Sequence, residues 1–132
     1  MQLEPIVRTV TRKTIDAYEQ ILGIGNPLHF DEEYASTTSF GGIIAHGMMS
    51  LAYISEMMGR TFGKGWYEGG ELDTTFMLPV RPGDIITTRG RIIDQRQANG
   101  ENHSVCEVYC ENQKGEKVLT GTAVARVLKL SL

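Results

Sequence analysis

The apolar positions in the first half of the chain recur mostly at the spacing of a helix. Residues 4–10 alternate loosely between apolar and polar, which predicts a short first strand. After Thr11, which suits an N-cap, apolar side chains follow at helical steps until Gly23, and this predicts a first helix. Residues 45–60 predict the main helix, because one apolar stripe follows the helical period. The members of this stripe are Met48, Leu51, Ala52, Ser55 and Met58.

From residue 71 onward the pattern alternates with the period of strands. The segments that fit this period are 71–78, 84–95, 103–112 and 117–130. The turn signals between them are Arg81-Pro82-Gly83-Asp84, Asn99-Gly100 and Lys114-Gly115. Asn-Gly is a strong hairpin signal, because both residues tolerate positive φ. The order predicts an antiparallel meander whose last strand is central or paired with another subunit.

These elements predict one α+β domain over residues 1–132, in which a sheet wraps around one long helix. The segment 61–70 is rich in glycine and is predicted to be the connector between helix and sheet. A chain of 132 residues is the usual size of a single domain with one core.

Composition and charge narrow the classes of function. The net charge of −3 gives no basic excess that would attract nucleic acid. We find no apolar run of about 18 residues, so no membrane span is expected. The N-terminus lacks the pattern of a signal peptide, which predicts a cytoplasmic protein.

The cysteines and histidines do not form a recognisable ligand set. Cys106 and Cys110 fall on the same face of one predicted strand, too far apart for a disulfide. We therefore interpret them as small residues of a half-buried face. Histidine occurs at positions 29, 46 and 103, which is not a metal-ligand spacing. Neither a metal nor another cofactor is expected.

Residues 26–31 and 40–48 carry the candidate chemistry. His29 lies in a loop rich in glycine and proline, and its imidazole suits proton transfer near neutral pH. Gly47 opens the main helix, whose first N–H groups are unpaired and carry partial positive charge. Because glycine has no side chain, a thioester carbonyl can approach these groups, which would form an oxyanion hole.

The runs Asn-Pro-Leu-His-Phe-Asp at 26–31 and Phe-Gly-Gly-Ile-Ile-Ala-His-Gly-Met at 40–48 resemble the signature of MaoC-like dehydratases and (R)-specific enoyl-CoA hydratases. Residues 78–84 resemble the entry to the next strand of that family. The resemblance implies a homodimeric hot-dog fold that binds an acyl chain near the subunit interface. It also implies that His29 is the acid/base, that the Gly47 N–H is the oxyanion donor and that Ser55 lies near the active centre.

Three further residues are candidate substrate contacts, and each has a structural alternative. Asn26 can instead fix the loop, and Asp31 can cap the turn that follows. Met48 can belong to the helix core, although methionine suits an adaptable acyl tunnel. His46 is predicted to satisfy backbone groups at the start of the helix.

Ile24 departs from the family pattern, which has a catalytic Asp at this position. Loss of one general base typically costs about 10²–10⁴-fold in rate. Asp31 could replace it from the same side of an extended segment, although its interpretation as a cap is favoured. No pattern favours replacement by Glu19 or Glu71. The first hypothesis remains a hydratase/dehydratase for an acyl-CoA or acyl-ACP, as a homodimer or higher homo-oligomer.

Two other functions remain open from the residues. One is a catalytically weak or silent subunit that pairs with a complete homologue in a heterodimer, which Ile24 favours. The other is a thioesterase, which needs a carboxylate from the long helix. Glu56 is on that helix, one step away from the Ser55 face.

Overall fold

The computed structural model describes residues 1–128. The helical elements are α1 (Arg12–Leu22), a 3-10 turn (Pro27–His29), α2 (Glu32–Ser36), α3 (Gly47–Phe62) and α4 (Lys64–Gly69). The strands are β1 (Ile6–Thr9), β2 (Glu71–Phe76), β3 (Ile85–Ala98), β4 (Glu101–Glu111) and β5 (Lys117–Val127). The α+β prediction is confirmed, and α3 packs against β3, β4 and β5.

The five strands form one antiparallel sheet in the order β1-β3-β4-β5-β2. The predicted β3–β4 hairpin is confirmed, with Asn99 and Gly100 at φ values of 55° and 76°. The predicted meander is wrong at its first strand, because β2 pairs with β5 and not with β3. The segment around residues 81–84 therefore links two strands that are not neighbours, because β5 and β4 lie between β2 and β3. β5 is an internal strand, and residues 129–132 of its predicted range lie outside the described residues.

The buried face of α3 differs from the predicted stripe. Of the stripe, only Met58 is buried, whereas Met48 is 51% exposed. Apolar residues occur on most sides of this helix, so spacing alone does not fix its rotation against the sheet. The buried residues of α3 are Met49, Ser50, Ile54, Met57, Met58 and Gly59.

The predicted connector at 61–70 is wrong, because α3 continues to Phe62 and α4 follows. The glycines here serve packing rather than a loop. A Cβ on Gly65 would lie 2.0 Å from the carbonyl oxygen of Arg126, so only glycine allows α4 to lie this close to β5. Trp66 of α4 is 9% exposed and joins the core.

Both cysteines are unbridged and fully buried in β4. Burial raises the pKa of each thiol to about 11. A thiol of this kind is unreactive at neutral pH, because the thiolate is the nucleophile. Cys106 and Cys110 are therefore small core residues, as their spacing predicted.

Candidate active site

Short-range hydrogen bonds shape the loop that carries His29. Gly23 ends α1 with a φ of 60°. The Asn26 side chain accepts a hydrogen bond from the Leu28 N–H at 3.1 Å, which starts the 3-10 turn. Asp31 accepts one from the Tyr34 N–H at 3.0 Å and caps α2. The caps of Asn26 and Asp31 therefore flank His29 and fix its backbone.

The ring of His29 is held by a backbone carbonyl. Its Nδ1 lies 2.8 Å from the Ile44 carbonyl oxygen. A carbonyl oxygen only accepts hydrogen bonds, so Nδ1 carries the proton. In the neutral ring the lone pair is then on Nε2. His29 is partly exposed, and this Nε2 is suited to accept a proton from water.

The N-terminus of α3 is left without a side-chain cap. His46 is the N-cap residue, but its side chain makes no capping hydrogen bond. Gly47 and Met48 follow, and both are exposed. A Cβ at position 47 would lie 2.6 Å from Cε1 of Phe76, so a side chain here would collide with that ring. Because no side chain caps the first turn of α3, the backbone N–H of Gly47 can donate a hydrogen bond to a ligand carbonyl.

The predicted role of His46 is wrong, because its partner is a distant side chain and not local backbone. Its Nε2 lies 3.0 Å from Oε1 of Glu19. The ring stacks on His29 with centroids 4.0 Å apart and an interplanar angle of 25°. Tyr18 meets the His46 ring edge-on at 5.0 Å. Within residues 1–128, the buried Nδ1 of His46 has no hydrogen-bond partner.

Glu19 joins α1 to both segments of the site. Its Oε1 faces His46, and its Oε2 accepts a hydrogen bond from the Gly25 N–H at 3.0 Å. These contacts lower the pKa of Glu19, with the His46 bond as the largest cause. Glu19 carries no local sequence signal, because its partner His46 is 27 residues away. Ile24, next to Gly25, is 53% exposed.

An open cavity of about 520 Å³ lies against the N-terminus of α3. His46 and Gly47 form part of its wall, whereas His29 does not. The other lining residues are Phe40, Ile44, Ala45, Met48, Ser50, Phe76, Met77, Leu78, Pro79, Val80 and Val118. Most of these side chains are apolar, so the cavity suits a hydrocarbon chain.

The candidate hydroxyl Ser55 lies away from this cavity wall. Its Oγ accepts a hydrogen bond from Nε1 of Trp66 at 2.9 Å. The serine of α3 that lines the cavity is Ser50, which is 5% exposed. Ser50 is one helical turn after Gly47. This spacing places both residues on the same face of α3, and it is the signal in the sequence that points to Ser50.

Residues 1–128 contain neither a candidate metal site nor a helix able to span a membrane. Within residues 1–128, no group of three or more His, Cys, Asp or Glu side chains is placed to hold a metal ion. In the same part of the chain, no helix has the length and apolar character needed to cross a bilayer.

The family is decided by a sequence match over most of the chain. The MaoC like domain family matches residues 2–114. This chain belongs to the MaoC-like domain family. A curated relative, the 3-hydroxybutyryl-CoA dehydratase of Methylorubrum extorquens, is 30% identical over 96% of this chain and 78% of its own length. The predicted membership is therefore confirmed.

Solved structures confirm the hot-dog fold. An R-hydratase from Pseudomonas aeruginosa has a TM-score of 0.81 at 24% identity, over 100% of this chain and 86% of its own. The HadBC 3R-hydroxyacyl-ACP dehydratase complex from Mycobacterium tuberculosis contains a chain with a TM-score of 0.76 at 20% identity. That match covers 96% of this chain and 94% of the other. The fold class expected from the sequence is confirmed, within a family of hydratases and dehydratases.

Proposed function

We propose that this protein interconverts 2-enoyl and 3-hydroxyacyl thioesters carried by coenzyme A or an acyl carrier protein. The observation that carries the proposal is the position of the His29 ring, which stacks on His46, the N-cap residue of the uncapped helix α3. The name of the Methylorubrum relative supports a dehydratase that acts on a CoA thioester. No metal or redox cofactor is needed for this reaction.

In hydration, the Nε2 lone pair of His29 takes a proton from water as the water oxygen bonds to the β-carbon. The α,β double-bond electrons move toward the thioester, and its oxygen gains negative charge. The Gly47 N–H donates to that oxygen, and the helix dipole adds to the stabilisation. The proton then passes from His29 to the α-carbon, which completes the addition of one water. Dehydration follows the same steps in reverse.

The apolar cavity would hold the acyl chain beside Gly47. Met48, half-exposed at the wall, is the proposed chain contact. Asn26 and Asp31 have their side-chain oxygens in caps, so we propose that they support the His29 loop. Direct substrate contacts by these two residues, and a catalytic role for Ser55, stay predictions.

The surface beside the cavity fits the expected assembly into dimers. β2 is an edge strand, and apolar side chains are exposed along and after it. Phe76, Met77 and Leu78 are 57%, 54% and 44% exposed. Exposed apolar patches of this kind mark interfaces. A homodimer or higher homo-oligomer is therefore the proposed state, and light scattering of the purified protein tests it.

A silent subunit that pairs with a complete homologue is the second candidate function. The observation that favours it is Ile24, whose side chain offers no proton acceptor. The HadBC complex, whose name joins two subunits, supports the idea of a mixed assembly. Turnover by the purified chain alone would argue against this candidate.

A thioesterase ranks below both, because Glu56 is engaged elsewhere. Its carboxylate pairs with Arg8 and with Arg60, the latter at 2.9 Å. Glu56 also lies outside the cavity wall.

Hydration of crotonyl-CoA, followed by loss of the enoyl-thioester absorbance, tests the first proposal. Wild type should turn over, and His29→Ala should lower the rate by about 10²–10⁴-fold. His103→Ala, the same change in β4, is the matched control and should retain activity. Activity that appears only in Ile24→Asp would instead indicate that the wild-type site lacks its general base. This result would favour the silent subunit that pairs with a complete homologue.

A further inference from the structure

The site contains an ionised carboxylate that the mechanism above does not use. Position 24, where the family pattern has an Asp, holds an exposed Ile. Glu19 lies five residues earlier in the chain, in the last turn of α1, and its side chain is only 15% exposed. Both of its oxygens are engaged, with His46 and with the Gly25 N–H.

The two contacts of Glu19 reach both halves of the site. The Gly25 N–H belongs to the loop that leads into His29. The His46 ring precedes Gly47 and covers one face of the His29 ring at 4.0 Å. A change at Glu19 would therefore reach His29 from two directions, through the loop and through the stacked ring.

Fold stability alone gives no reason for a histidine at position 46. This residue is 3% exposed, and its Nδ1 is buried without a partner in the described chain. An apolar ring could fill the same space without an unsatisfied nitrogen. The histidine does, however, let Nε2 bind the Glu19 carboxylate while the ring stacks on His29.

The electrostatic environment supports the same link. The bond from His46 is the largest cause that lowers the pKa of Glu19, and the charge of the His29 ring is a smaller one. A positive charge that forms on His29 when it takes a proton from water would be stabilised by the Glu19 carboxylate. Other charged or titratable groups here are Arg12, which donates to the Phe30 carbonyl, and Asp31, which caps α2. Tyr18 meets the edge of His46.

We propose that Glu19 is the positioning carboxylate of this site and acts on His29 through His46, in place of the Asp absent at position 24. The inference rests on the proposed function, because it assigns Glu19 a part in His29 acid/base chemistry. Glu19 does not need to touch the substrate for this role.

The test measures kcat and KM of crotonyl-CoA hydration for Glu19→Gln. Gln keeps the size of the side chain and removes its charge. We expect kcat to fall about 10- to 100-fold, the usual cost of losing a supporting partner, with little change in KM. Glu33→Gln, an exposed carboxylate of α2, is the matched control.

Two further variants separate this role from a merely structural one. His46→Phe keeps a stacked ring but removes Nε2, and it should lose as much kcat as Glu19→Gln. The two changes together should cost no more than either alone, because they act in one chain of contacts. Ile24→Asp should restore activity to Glu19→Gln, and thermal unfolding checks that each variant is folded.

Each outcome decides between the two proposals. Wild-type kcat in Glu19→Gln or in folded His46→Phe would overturn the role of Glu19 and leave the hydratase intact. Loss of activity that merely follows loss of folded protein would overturn it as well. No turnover by wild type would refute the proposed function, and the role of Glu19 would fall with it.

Discussion

Two regions of opposite character meet at the N-terminus of α3. One is the cavity of about 520 Å³, with a largely apolar wall that includes Gly47. The other is the compact polar cluster of His46, Glu19 and His29. His46 belongs to both regions, because its ring also forms part of the cavity wall, whereas Gly47 belongs to the wall alone.

The two regions should respond differently to substitution. Apolar contacts are non-directional, so an acyl wall tolerates changes that preserve its volume. Hydrogen bonds and stacked rings depend on direction and on the identity of each partner. Single changes in the cluster should therefore alter kcat, whereas single changes in the wall should alter KM.

Among changes to the cavity wall, Gly47→Ala should have the largest effect, because Gly47 also carries the proposed oxyanion donor. The added methyl would lie 2.6 Å from Cε1 of Phe76 and would crowd the proposed oxyanion position. We expect hydration to fall about 10²-fold, the cost of losing one oxyanion donor. Steady-state kinetics with crotonyl-CoA provides the measurement.

Gly42→Ala is the control for this change, since its Cβ would approach only the guanidinium of Arg81, at 3.9 Å. It should stay close to wild type. Phe76→Leu added to Gly47→Ala should recover part of the activity by removing the collision. If Gly47→Ala keeps its full kcat, the first turn of α3 is not the oxyanion site.

Asp31→Ala should show that the loop of the polar cluster depends on its caps. The variant loses the bond to the Tyr34 N–H, and the free energy of unfolding should fall by about 1 kcal/mol. Urea unfolding measures this change. Asp31→Asn keeps a capping oxygen and should stay near wild type. A rise in KM without loss of stability would instead indicate the substrate contact predicted from the sequence.

The features predicted correctly are those that neighbouring residues determine. Thr11 caps α1, Gly23 ends it, and Asp31 caps α2, as their residue types indicate. Asn99-Gly100 forms the hairpin turn, because both residues adopt positive φ. The loop of His29 was likewise recognisable from its motif.

The features that the sequence did not reveal depend on contacts between distant segments. No local pattern shows that β2 pairs with β5. Turn residues indicate where the chain reverses direction, but they do not determine which strand pairs with which. The glycines of α4 indicated a loop, since the close approach of Arg126 was not visible. Glu19 and His46 each look ordinary until the fold brings them within 3.0 Å.

Met48→Ala should have a smaller effect, limited to the apolar region. The side chain lines the cavity and is 51% exposed, so an acyl chain would bury only part of it. At about 0.8 kcal/mol per buried methylene, KM should rise by at most about tenfold. The rise should be larger for longer acyl chains, with kcat unchanged, and Met48→Leu should remain near wild type. A fall in kcat would place Met48 in the reacting region instead.

The smallest effect should be the dependence of stability on pH that Glu19 contributes. The pKa of its carboxyl is lowered from the ordinary value of 4.5, mainly by the bond to His46. A carboxyl with a lowered pKa in the folded state stabilises the protein above the unfolded value, and this stabilisation is lost as pH falls through the folded value. Chemical unfolding from about pH 7 to about pH 3 should therefore show wild type and Glu19→Gln converging in acid. Glu33→Gln should run parallel to wild type throughout. A constant gap between wild type and Glu19→Gln would mean that the carboxylate charge contributes nothing and that the polar cluster is held by shape alone.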